Sequence, residues 1–411
     1  MKLMILGASG AQLNAIKRAK AMGYKVLVTD YYTNSPGKLI ADECGMASTF
    51  SYKETMEIAK DKIINGIMTT GTDQPVYVVN RIAKDLKLPH FLSVDTAYEV
   101  TNKRAMKQKF KQHHIPTPDF KLIKKDFIDE ELKDLKFPVV VKPLDSQGQR
   151  GIFKLNSVNQ IRDHFDDVIK YSREDTILVE TYYENDEITI SGWVKEGQAK
   201  ILTITDRITF NNEKYIGICT SHEFPSRHYE KYKDEFVFLT NKIVEVFGIK
   251  EGPIYFQFFI GKEGIKVNEI ACRIGGAYED EFVPLITGVD ILKMVIERSM
   301  GKEIDYKALN EYDISSNHHF LSVQLFFANP GRIKYITPKE QIIDLDGVYN
   351  MNYNYKKEQY IEPIQNASVR AGYVIIKGTS KKEVKKKVSN LYAKMLMMDN
   401  SGKNMIINKD R

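Results

Sequence analysis

The first hundred residues alternate between short apolar runs and helix-like spacing, and this alternation constrains the fold more than any other feature of the chain. Apolar runs typical of strands occupy residues 3–6, 25–29, 66–71 and 88–91, and helical spacing at 75–86 separates the last two. Strands separated by helices of this length imply a parallel sheet with right-handed crossovers. The chain is therefore predicted to begin with an α/β domain.

The later part of the chain has a different pattern. From residue 176 to 274 the apolar runs are mostly strand-like, with one long helix near 236–247. Strand-like runs return at 320–327 and 368–376, before a final helix with one apolar face. At 411 residues the chain has room for two to four domains. We therefore expect an α+β arrangement after the α/β opening.

Composition and charge exclude several classes of protein. Hydrophobic residues make up 43% of the chain and charged residues 28%, as in an ordinary soluble globular protein. No run approaches the ~18 consecutive apolar residues that a spanning helix needs. The net charge of +6 is a weak field for a chain of this size. The first apolar run ends in glycines, not in a cleavage site. We expect a cytoplasmic protein that binds neither nucleic acid nor membranes.

The turn after the first apolar run has part of a dinucleotide-binding fingerprint. Gly7 and Gly10 can let a phosphate approach a helix N-terminus, and Asp30 can bind a ribose. The third glycine position is Leu13, so the fingerprint is incomplete. An NAD-dependent oxidoreductase remains an alternative, although it leaves the motifs further along the chain unexplained.

A second glycine-bearing loop follows a strand in the middle of the chain. The apolar run at 137–143 contains Lys142 near its end, and the polar segment Ser146-Gln147-Gly148-Gln149-Arg150-Gly151 follows. Backbone N–H groups of such a loop can surround phosphate oxygens, and a lysine can neutralise them. This pattern predicts a phosphate-binding loop.

Two later strands carry oxygen-bearing side chains at their ends. Gln257 lies in the run Tyr255-Phe256-Gln257-Phe258-Phe259, and Glu269 lies in Asn268-Glu269-Ile270-Ala271-Cys272-Arg273. Such side chains on neighbouring strands can hold Mg²⁺ between protein and triphosphate. Arg273, just beyond, can face a transferring phosphoryl group or a carboxylate.

This ordered set of motifs resembles the ATP-grasp superfamily of carboxylate–amine ligases, and residues 268–276 are most similar to the branch that contains L-amino acid ligases. Biotin carboxylase and carbamoyl phosphate synthase are less similar. The resemblance implies a multidomain α/β and α+β fold. Its expected parts are a Rossmann-like pre-ATP-grasp domain at 1–99, the small lobe of a two-lobed ATP-grasp fold with a linker helix at 100–185, the large lobe at 186–300, and a C-terminal α+β segment at 301–411.

The resemblance also implies roles for individual residues. The implied ATP-binding residues are Lys103, Lys142, Ser146, Gln147, Gly148, Gly151, Glu180, Thr181, Tyr182, Tyr183 and Glu187. Arg273 and Lys142 would be catalytic, and Gln257 and Glu269 would bind one or two Mg²⁺ ions, or Mn²⁺. The expected substrate-pocket residues are Arg207, His222, Gly275 and Gly276. His222 is expected to have a pKa near the working pH.

Two departures from the family pattern concern the metal site. The first metal position, usually an acid, is Gln257, and the usual Glu-x-Asn is Glu269-Ile270-Ala271. Asn268 is expected on the opposite face of its strand, because side chains alternate. Fewer anionic ligands predict weaker Mg²⁺ binding that depends on ATP itself.

The implied reaction uses ATP to activate a carboxylate as an acyl phosphate. An amine then displaces phosphate to give an amide or peptide bond, with ADP and phosphate released. The implied partners are a small-molecule carboxylate and a small-molecule amine, and a homodimer is the assembly that the resemblance favours. A nucleotide-binding ATP-grasp protein with weak or lost catalysis remains an alternative, because of Gln257 and Ala271.

Overall fold

The computed structural model describes residues 1–210 and 215–407. Its N-terminal part is a four-stranded parallel sheet with the strand order β3-β2-β1-β4. The strands are β1 (Lys2–Leu6), β2 (Lys25–Thr29), β3 (Glu43–Gly45) and β4 (Gly66–Thr69). The helices are α1 (Leu13–Ala21), α2 (Tyr52–Asp61) and α3 (Pro75–Asp85). The predicted α/β opening is therefore confirmed.

The segment Leu88–Phe91 is a loop, so the strand predicted there is wrong. Pro89 has no N–H to donate to a sheet ladder, which disfavours a strand at this place. The apolar residues of the segment are used for packing instead, because the Phe91 ring meets the Trp193 ring edge-on at 5.9 Å.

A second, antiparallel sheet has the strand order β5-β8-β6-β7. The elements of this part are α4 (Val94–Glu99), α5 (Lys103–Gln112), β5 (Phe120–Ile123), β6 (Val139–Pro143), β7 (Phe153–Leu155), α6 (Val158–Ile169) and β8 (Ile177–Thr181). The Asn102 side chain caps α5 by accepting a hydrogen bond from the Ala105 N–H. This cap fixes the start of α5, where Lys103 lies.

A third sheet has eight strands in the order β13-β12-β9-β10-β11-β14-β19-β17. Residues 186–299 form β9 (Asp186–Lys195), β10 (Gln198–Thr209), β11 (Cys219–Phe224), α7 (Tyr229–Val246), β12 (Gly252–Gly261), β13 (Gly264–Ala271), α8 (Glu279–Thr287) and α9 (Ile291–Ser299). The C-terminal residues form α10 (Lys307–Glu311), β14 (Phe320–Phe326), β15 (Gly331–Arg332), β16 (Tyr335–Ile336), α11 (Lys339–Ile343), β17 (Val348–Tyr353), β18 (Tyr360–Ile361), β19 (Gly372–Gly378), α12 (Lys381–Lys394) and β20 (Met397–Met398). Of these, β15 pairs with β18 and β16 with β20 in two separate two-stranded sheets. Three C-terminal strands thus extend the sheet that starts with β9, and the expected mixed α/β and α+β fold is confirmed.

One hydrophobic core joins the parallel sheet to the helices that follow β13. Leu3 and Ile5 of β1 and Ile16 of α1 belong to the same buried cluster as Phe282 of α8 and Ile296 of α9. Burying a side chain of this size stabilises a fold by about 1.5–3 kcal/mol. This shared core holds the carboxyl edge of the parallel sheet against the end of β13.

The longest helix of the described residues is α7, with 18 residues. It carries charged residues throughout its first half. Among residues 1–210 and 215–407, no helix combines the length and the apolar character that crossing a bilayer requires.

Candidate active site

A large cavity lies where the three larger sheets meet. Its volume is about 1760 Å³. Most residues expected at the site line it, namely Lys103, Lys142, Ser146, Gln147, Gly148, Glu180, Thr181, Tyr182, Tyr183, Glu187, Arg207, His222, Gln257, Glu269, Arg273 and Gly276. The lining also includes the turn after β1, the residues after β4 and parts of the C-terminal segment. Residues from all three sheets can therefore act on one bound ligand.

Two lysines of α5 lie at one end of this cavity, where Lys103 lines it and Lys107 lies behind the lining. Lys103 and Lys107 are four residues apart, so they lie on the same face of the helix. The Lys103 ammonium donates to the Ser146 carbonyl oxygen at 3.0 Å and lies 3.5 Å from Glu269 Oε1. Lys107 is 1% exposed, and its Nζ lies 2.6 Å from Glu180 Oε1. We call Lys103, Lys107 and Lys142, together with the residues that they contact, the lysine end.

Glu180 lies between two buried lysines. Its second carboxylate oxygen is paired with Lys142 of β6, and Glu180 itself is 3% exposed. Burial alone would raise the pKa of Glu180, but the charges of Lys107 and Lys142 outweigh it and lower that pKa to about 2. Burial lowers the pKa of Lys107 to about 8 against the opposing charge of Glu180. The carboxylate is therefore ionised at neutral pH.

The glycine-bearing loop closes over the cavity. Gln147 Oε1 accepts hydrogen bonds from the Asp73 and Gln74 N–H groups at 2.9 and 3.2 Å. The Gly148 carbonyl oxygen accepts one from the Ala367 N–H at 3.2 Å. Gly151 has a φ of +72° but does not line the cavity. The loop thus contacts both the N-terminal part and the C-terminal segment.

The connection from β8 to β9 forms a wall with aromatic side chains. The Tyr182 N–H donates to the Pro138 carbonyl oxygen at 2.9 Å, and Lys154 Nζ lies 4.2 Å from the centre of the Tyr182 ring. The Tyr183 hydroxyl donates to the Gly264 carbonyl oxygen at 2.8 Å. These contacts fix the planes of two rings beside the lysine end. A flat apolar wall of this kind can pack against the planar base of a nucleotide.

A β-bulge corrects the expected placement of Asn268. Gln257 pairs with Glu269 across β12 and β13, but the next residue, Phe258, pairs with Val267. Asn268 is therefore an extra residue on β13, which interrupts the alternation of side chains. Asn268 and Glu269 both line the cavity, and Asn268 Oδ1 accepts a hydrogen bond from Lys142 at 3.3 Å. The expectation that Asn268 lies on the opposite face was wrong.

The pair Gln257 and Glu269 offers oxygen ligands of limited charge. Burial would raise the pKa of Glu269, but the charges of Lys103, Lys142 and Arg273 lower it overall. In the described part of the chain, no group of three or more His, Cys, Asp or Glu residues is arranged to hold a metal ion. One carboxylate and one amide oxygen fit a hard cation that brings further oxygen ligands, such as phosphates.

The opposite end of the cavity carries arginines, and we call it the arginine end. Arg273 Nε donates to Asp73 Oδ1 at 2.8 Å, which links the end of β13 to the N-terminal part. Arg207 of β10 pairs with Glu187, its cross-strand neighbour on β9. Burial opposes the charge of Arg207, but Glu187 raises its pKa overall. Glu187, expected among the ATP-binding residues, and Arg207, expected in the substrate pocket, are thus each other's partners.

His222 is buried in the sheet at this end. It is 1% exposed, and its Nδ1 lies 3.1 Å from Thr189 Oγ1 and 3.0 Å from Thr205 Oγ1. Burial, followed by the charges of Arg207 and Arg370, holds its pKa well below the usual range. The expectation of a pKa near the working pH was wrong, because the ring is removed from water between cations. His222 is a neutral residue of the cavity wall.

The two glycines expected in the substrate pocket have different surroundings. A Cβ on Gly276 would lie 2.6 Å from the Gly71 carbonyl oxygen, so only glycine fits this approach. A Cβ on Gly275 would lie 2.2 Å from Glu279 Cδ, and Gly275 does not line the cavity. Gly276 therefore closes the arginine end against the N-terminal part, whereas Gly275 makes room for a buried carboxylate.

Sequence reasoning missed Lys107, Asp73 and Arg370. Lys107 could have been found from its spacing of four residues after Lys103. Asp73 and Arg370 follow no motif, since each lies far along the chain from the residue that it contacts: Asp73 follows β4, and Arg370 precedes β19. Arg370 donates to the Gly276 carbonyl oxygen at 3.3 Å, and its buried Nε has no hydrogen-bond partner among the described residues.

The turn after β1 is held by its own neighbours. Asp30 Oδ2 accepts a hydrogen bond from the Ala8 N–H at 3.0 Å. The Gln12 side chain donates to the Thr70 carbonyl oxygen at 2.6 Å and fills the space beside Gly7. Asp30 thus stabilises the turn. This structural role explains why the turn has glycines and an acid at these positions without requiring that they bind NAD.

Comparison with known protein families supports the resemblance seen in the motifs. The ATP-grasp domain family matches residues 135–281. A second family, described as L-amino acid ligase C-terminal domain 2, matches residues 324–395. The first match covers the glycine-bearing loop, Glu180 and the end of β13, and the second covers the end of β14, then β17, β19 and Arg370.

Individual proteins are similar over much of the chain. The chain is 24% identical over 403 residues to N5-carboxyaminoimidazole ribonucleotide synthase of Aquifex aeolicus, covering 94% of this chain and 95% of that protein. It is 23% identical over 284 residues to the L-arginine-specific L-amino acid ligase of Bacillus subtilis, covering 67% and 66%. The crystal structure of L-amino acid ligase from Bacillus licheniformis has the same fold, with a TM-score of 0.81, 18% identity, and coverage of 97% and 98%. The chain thus contains an ATP-grasp domain at residues 135–281 and, at residues 324–395, a match to C-terminal domain 2 of L-amino acid ligases.

Proposed function

We propose that the protein joins a small-molecule carboxylate to a small-molecule amine at the expense of ATP. A carboxylate oxygen attacks the γ-phosphorus of ATP, ADP leaves, and an acyl phosphate forms. The amine nitrogen then attacks the acyl carbon and loses a proton, and phosphate leaves with the former carboxylate oxygen. Phosphoryl transfer of this kind depends mainly on positioning and on charge stabilisation.

The observation that carries the proposal is the convergence at the lysine end. Among the described residues, Lys103, Lys107 and Lys142 pair with two carboxylates there, Glu180 and Glu269, so the end has an excess of positive charge. The loop that contains Gly148 covers the same end. A polyphosphate is the ligand that matches such a cationic, loop-covered site.

The lysine end would bind the nucleotide. In this proposal Lys103 and Lys142 contact the phosphates, and Ser146, Gln147 and Gly148 cover them. The wall made by Tyr182 and Tyr183 would hold the base.

The arginine end would receive the carboxylate and the amine. Arg273, next to the end of β13, also acts by its charge on Glu269 of the lysine end, so it can stabilise the transferring phosphoryl group. Arg370 and Gly276 belong to the far wall of the cavity. Amino acids are the first substrates to test, since a relative is named an L-amino acid ligase.

A magnesium ion fits this site only together with the nucleotide. Glu269 and Gln257 would hold it, and Asn268 lies beside them because of the bulge. When bound, the ion would supply neutralisation of phosphate charge.

The test is release of phosphate from ATP, measured with the purified full chain across pairs of carboxylates and amines. We expect phosphate release that requires one carboxylate and one amine together, with an amide product found by mass spectrometry. ATP binding without phosphate release for any pair would contradict the ligase proposal and support a nucleotide-binding protein without catalysis. Omitting each substrate in turn is the control for simple ATP hydrolysis.

A further inference from the structure

Lys107 lies behind Glu180 and does not line the cavity. Its ammonium lies 2.6 Å from Glu180 Oε1 and donates to Thr117 Oγ1 at 2.7 Å and to the Val267 carbonyl oxygen at 3.4 Å. These partners belong to β8, to the connection after α5, and to β13. The fold itself therefore supplies an ion-pair partner and two hydrogen-bond acceptors for this ammonium group, so Lys107 keeps its place whether or not a ligand is bound.

Lys142, on the other side of the same carboxylate, differs from Lys107 because it faces the cavity. It pairs with the second oxygen of Glu180, donates to Asn268 Oδ1 at 3.3 Å, and lines the cavity. A phosphate in the cavity would compete with Glu180 for this ammonium. If Lys142 were the sole partner of Glu180, its move to a phosphate would leave the buried Glu180 carboxylate without a counter-charge. An unpaired buried charge raises the free energy of the protein strongly.

We propose that Lys107 is a positioning residue of the nucleotide site, which keeps Glu180 paired and ionised from behind so that Lys142 can turn from Glu180 to a phosphate. The proposal rests on the proposed function, because it takes the ligand of the lysine end to be a nucleotide. No covalent bond changes in this step, and with Lys107 in place no proton needs to move.

Removing the Lys107 charge would couple nucleotide binding to proton uptake. The charged groups that face Glu180 are Lys107 from α5 and Lys142 from β6, whereas β5 places Phe120 opposite it. Glu269 on β13 faces Lys103. Without Lys107, a Glu180 that loses Lys142 to a phosphate becomes a buried, unpaired acid and takes up a proton. Binding that takes up a proton tightens as the pH falls, by up to about tenfold per pH unit.

The experiment compares Lys107→Met with the wild-type chain by titration calorimetry with MgADP between pH 6 and pH 8. Each titration is repeated in two buffers of different ionisation enthalpy, which counts the protons bound. At pH 8 we expect K107M to bind MgADP at least about tenfold more weakly than the wild type. We also expect K107M to take up about one proton more than the wild type, with the affinity difference shrinking towards pH 6.

Lys107→Arg is the matched control, because it keeps the positive charge behind Glu180. We expect K107R to bind the wild-type number of protons. An effect of Lys107 on packing alone would lower the thermal stability of K107M without additional proton uptake, and that result would overturn the proposal.

The double variant Lys107→Met with Glu180→Gln covers the case in which K107M does not fold. It removes both charges, so we expect it to fold and to bind MgADP without the additional proton. A double variant that also fails to fold, or that keeps the additional proton, would contradict the proposal. Failure of the wild-type chain to bind MgADP would contradict the proposed function instead, so the two failures are distinguishable.

Discussion

The two ends of the cavity differ in how their cationic side chains are paired with carboxylates. At the lysine end three ammonium groups share two carboxylates, Glu180 and Glu269. At the arginine end Arg207 and Arg273 each have a carboxylate of their own, Glu187 and Asp73. Shared carboxylates leave positive charge in excess beside the loop at the lysine end, which suits a triphosphate. The separate pairs neutralise Arg207 and Arg273, so the excess charge of the arginine end lies on Arg370. This difference is the reason for proposing that the lysine end binds the nucleotide and the arginine end the other substrates.

Arg370 departs from the pattern of its own end. In residues 1–210 and 215–407, no carboxylate lies within ion-pair distance of it, and its Nε is buried without a partner. It is therefore the cation of the arginine end that is most available to a substrate. Substitution of Arg370 tests the arginine end, and substitution of Lys142 tests the lysine end.

The largest effect is expected from Lys142→Met at the lysine end. Removing a preorganised charge that faces the transferring group typically costs about 100-fold or more in rate. We expect kcat for phosphate release to fall by at least that factor. Glu180 keeps Lys107 as a partner in this variant, so the fold is expected to persist by circular dichroism.

Lys125→Met is the matched control for Lys142→Met. Lys125 is an exposed lysine that pairs with Asp166 on the surface, far from the cavity lining. Such a pair contributes little to stability. If K125M has wild-type kinetics and K142M keeps the wild-type kcat, the lysine end does not bind the nucleotide.

The next effect is expected from Arg370→Met at the arginine end. A hydrogen bond to a charged group contributes about 1.5–3 kcal/mol, so the KM of a substrate held by Arg370 should rise by about 10- to 100-fold. The KM for ATP should stay at the wild-type value. A rise confined to the KM for ATP would reverse the assignment of the two ends.

A smaller effect concerns the pH dependence of stability at the lysine end. The pKa of Glu180 is lowered to about 2 in the folded chain, so its stabilisation is present above its ordinary pKa and is lost as the pH falls towards 2. We expect the stability advantage of the wild type over Glu180→Gln to shrink by about 1 kcal/mol between pH 6 and pH 4. Urea unfolding of both proteins at the two pH values measures it, and a constant difference would show that Glu180 is not ionised.

The smallest effects are expected from glycines of the loop that covers the lysine end. Gly148 and Gly151 have φ values of +69° and +72°, which cost an alanine about 1 kcal/mol of strain. Nothing lies within 4 Å of a Cβ on Gly148, whereas a Cβ on Gly151 would lie 2.8 Å from the Tyr171 ring. We expect Gly148→Ala to change the KM for ATP by a few-fold. Gly151→Ala should raise the KM for ATP more. Equal effects would mean that the loop does not close as the structure has it.

Sequence reasoning located the lysine end better than the arginine end, for a physical reason. Lys103, Lys142 and Glu269 lie at the ends of strands or at the start of a helix, where local pattern predicts both the element and the side chain. Asp73 lies 200 residues from Arg273, and Arg370 lies 94 residues from Gly276, so only the tertiary structure brings them together and no local pattern encodes these contacts.

The placement of Asn268 shows a second limit of sequence reasoning. Alternation in a regular strand puts it opposite Glu269, but the bulge depends on the pairing of β13 with β12. His222 shows a third limit, since its lowered pKa results from burial beside Arg207 and Arg370. Both properties come from tertiary structure, which a single sequence does not display.

The formation of an acyl phosphate is the central claim, and transfer of ¹⁸O tests it most directly. The carboxylate that supports phosphate release is labelled with ¹⁸O in both oxygens, and the phosphate produced with ATP and the amine is examined by mass spectrometry. We expect one ¹⁸O in each phosphate released, because the carboxylate oxygen that attacks the γ-phosphorus leaves with it. Phosphate without label would mean that water attacks ATP, and it would contradict the account.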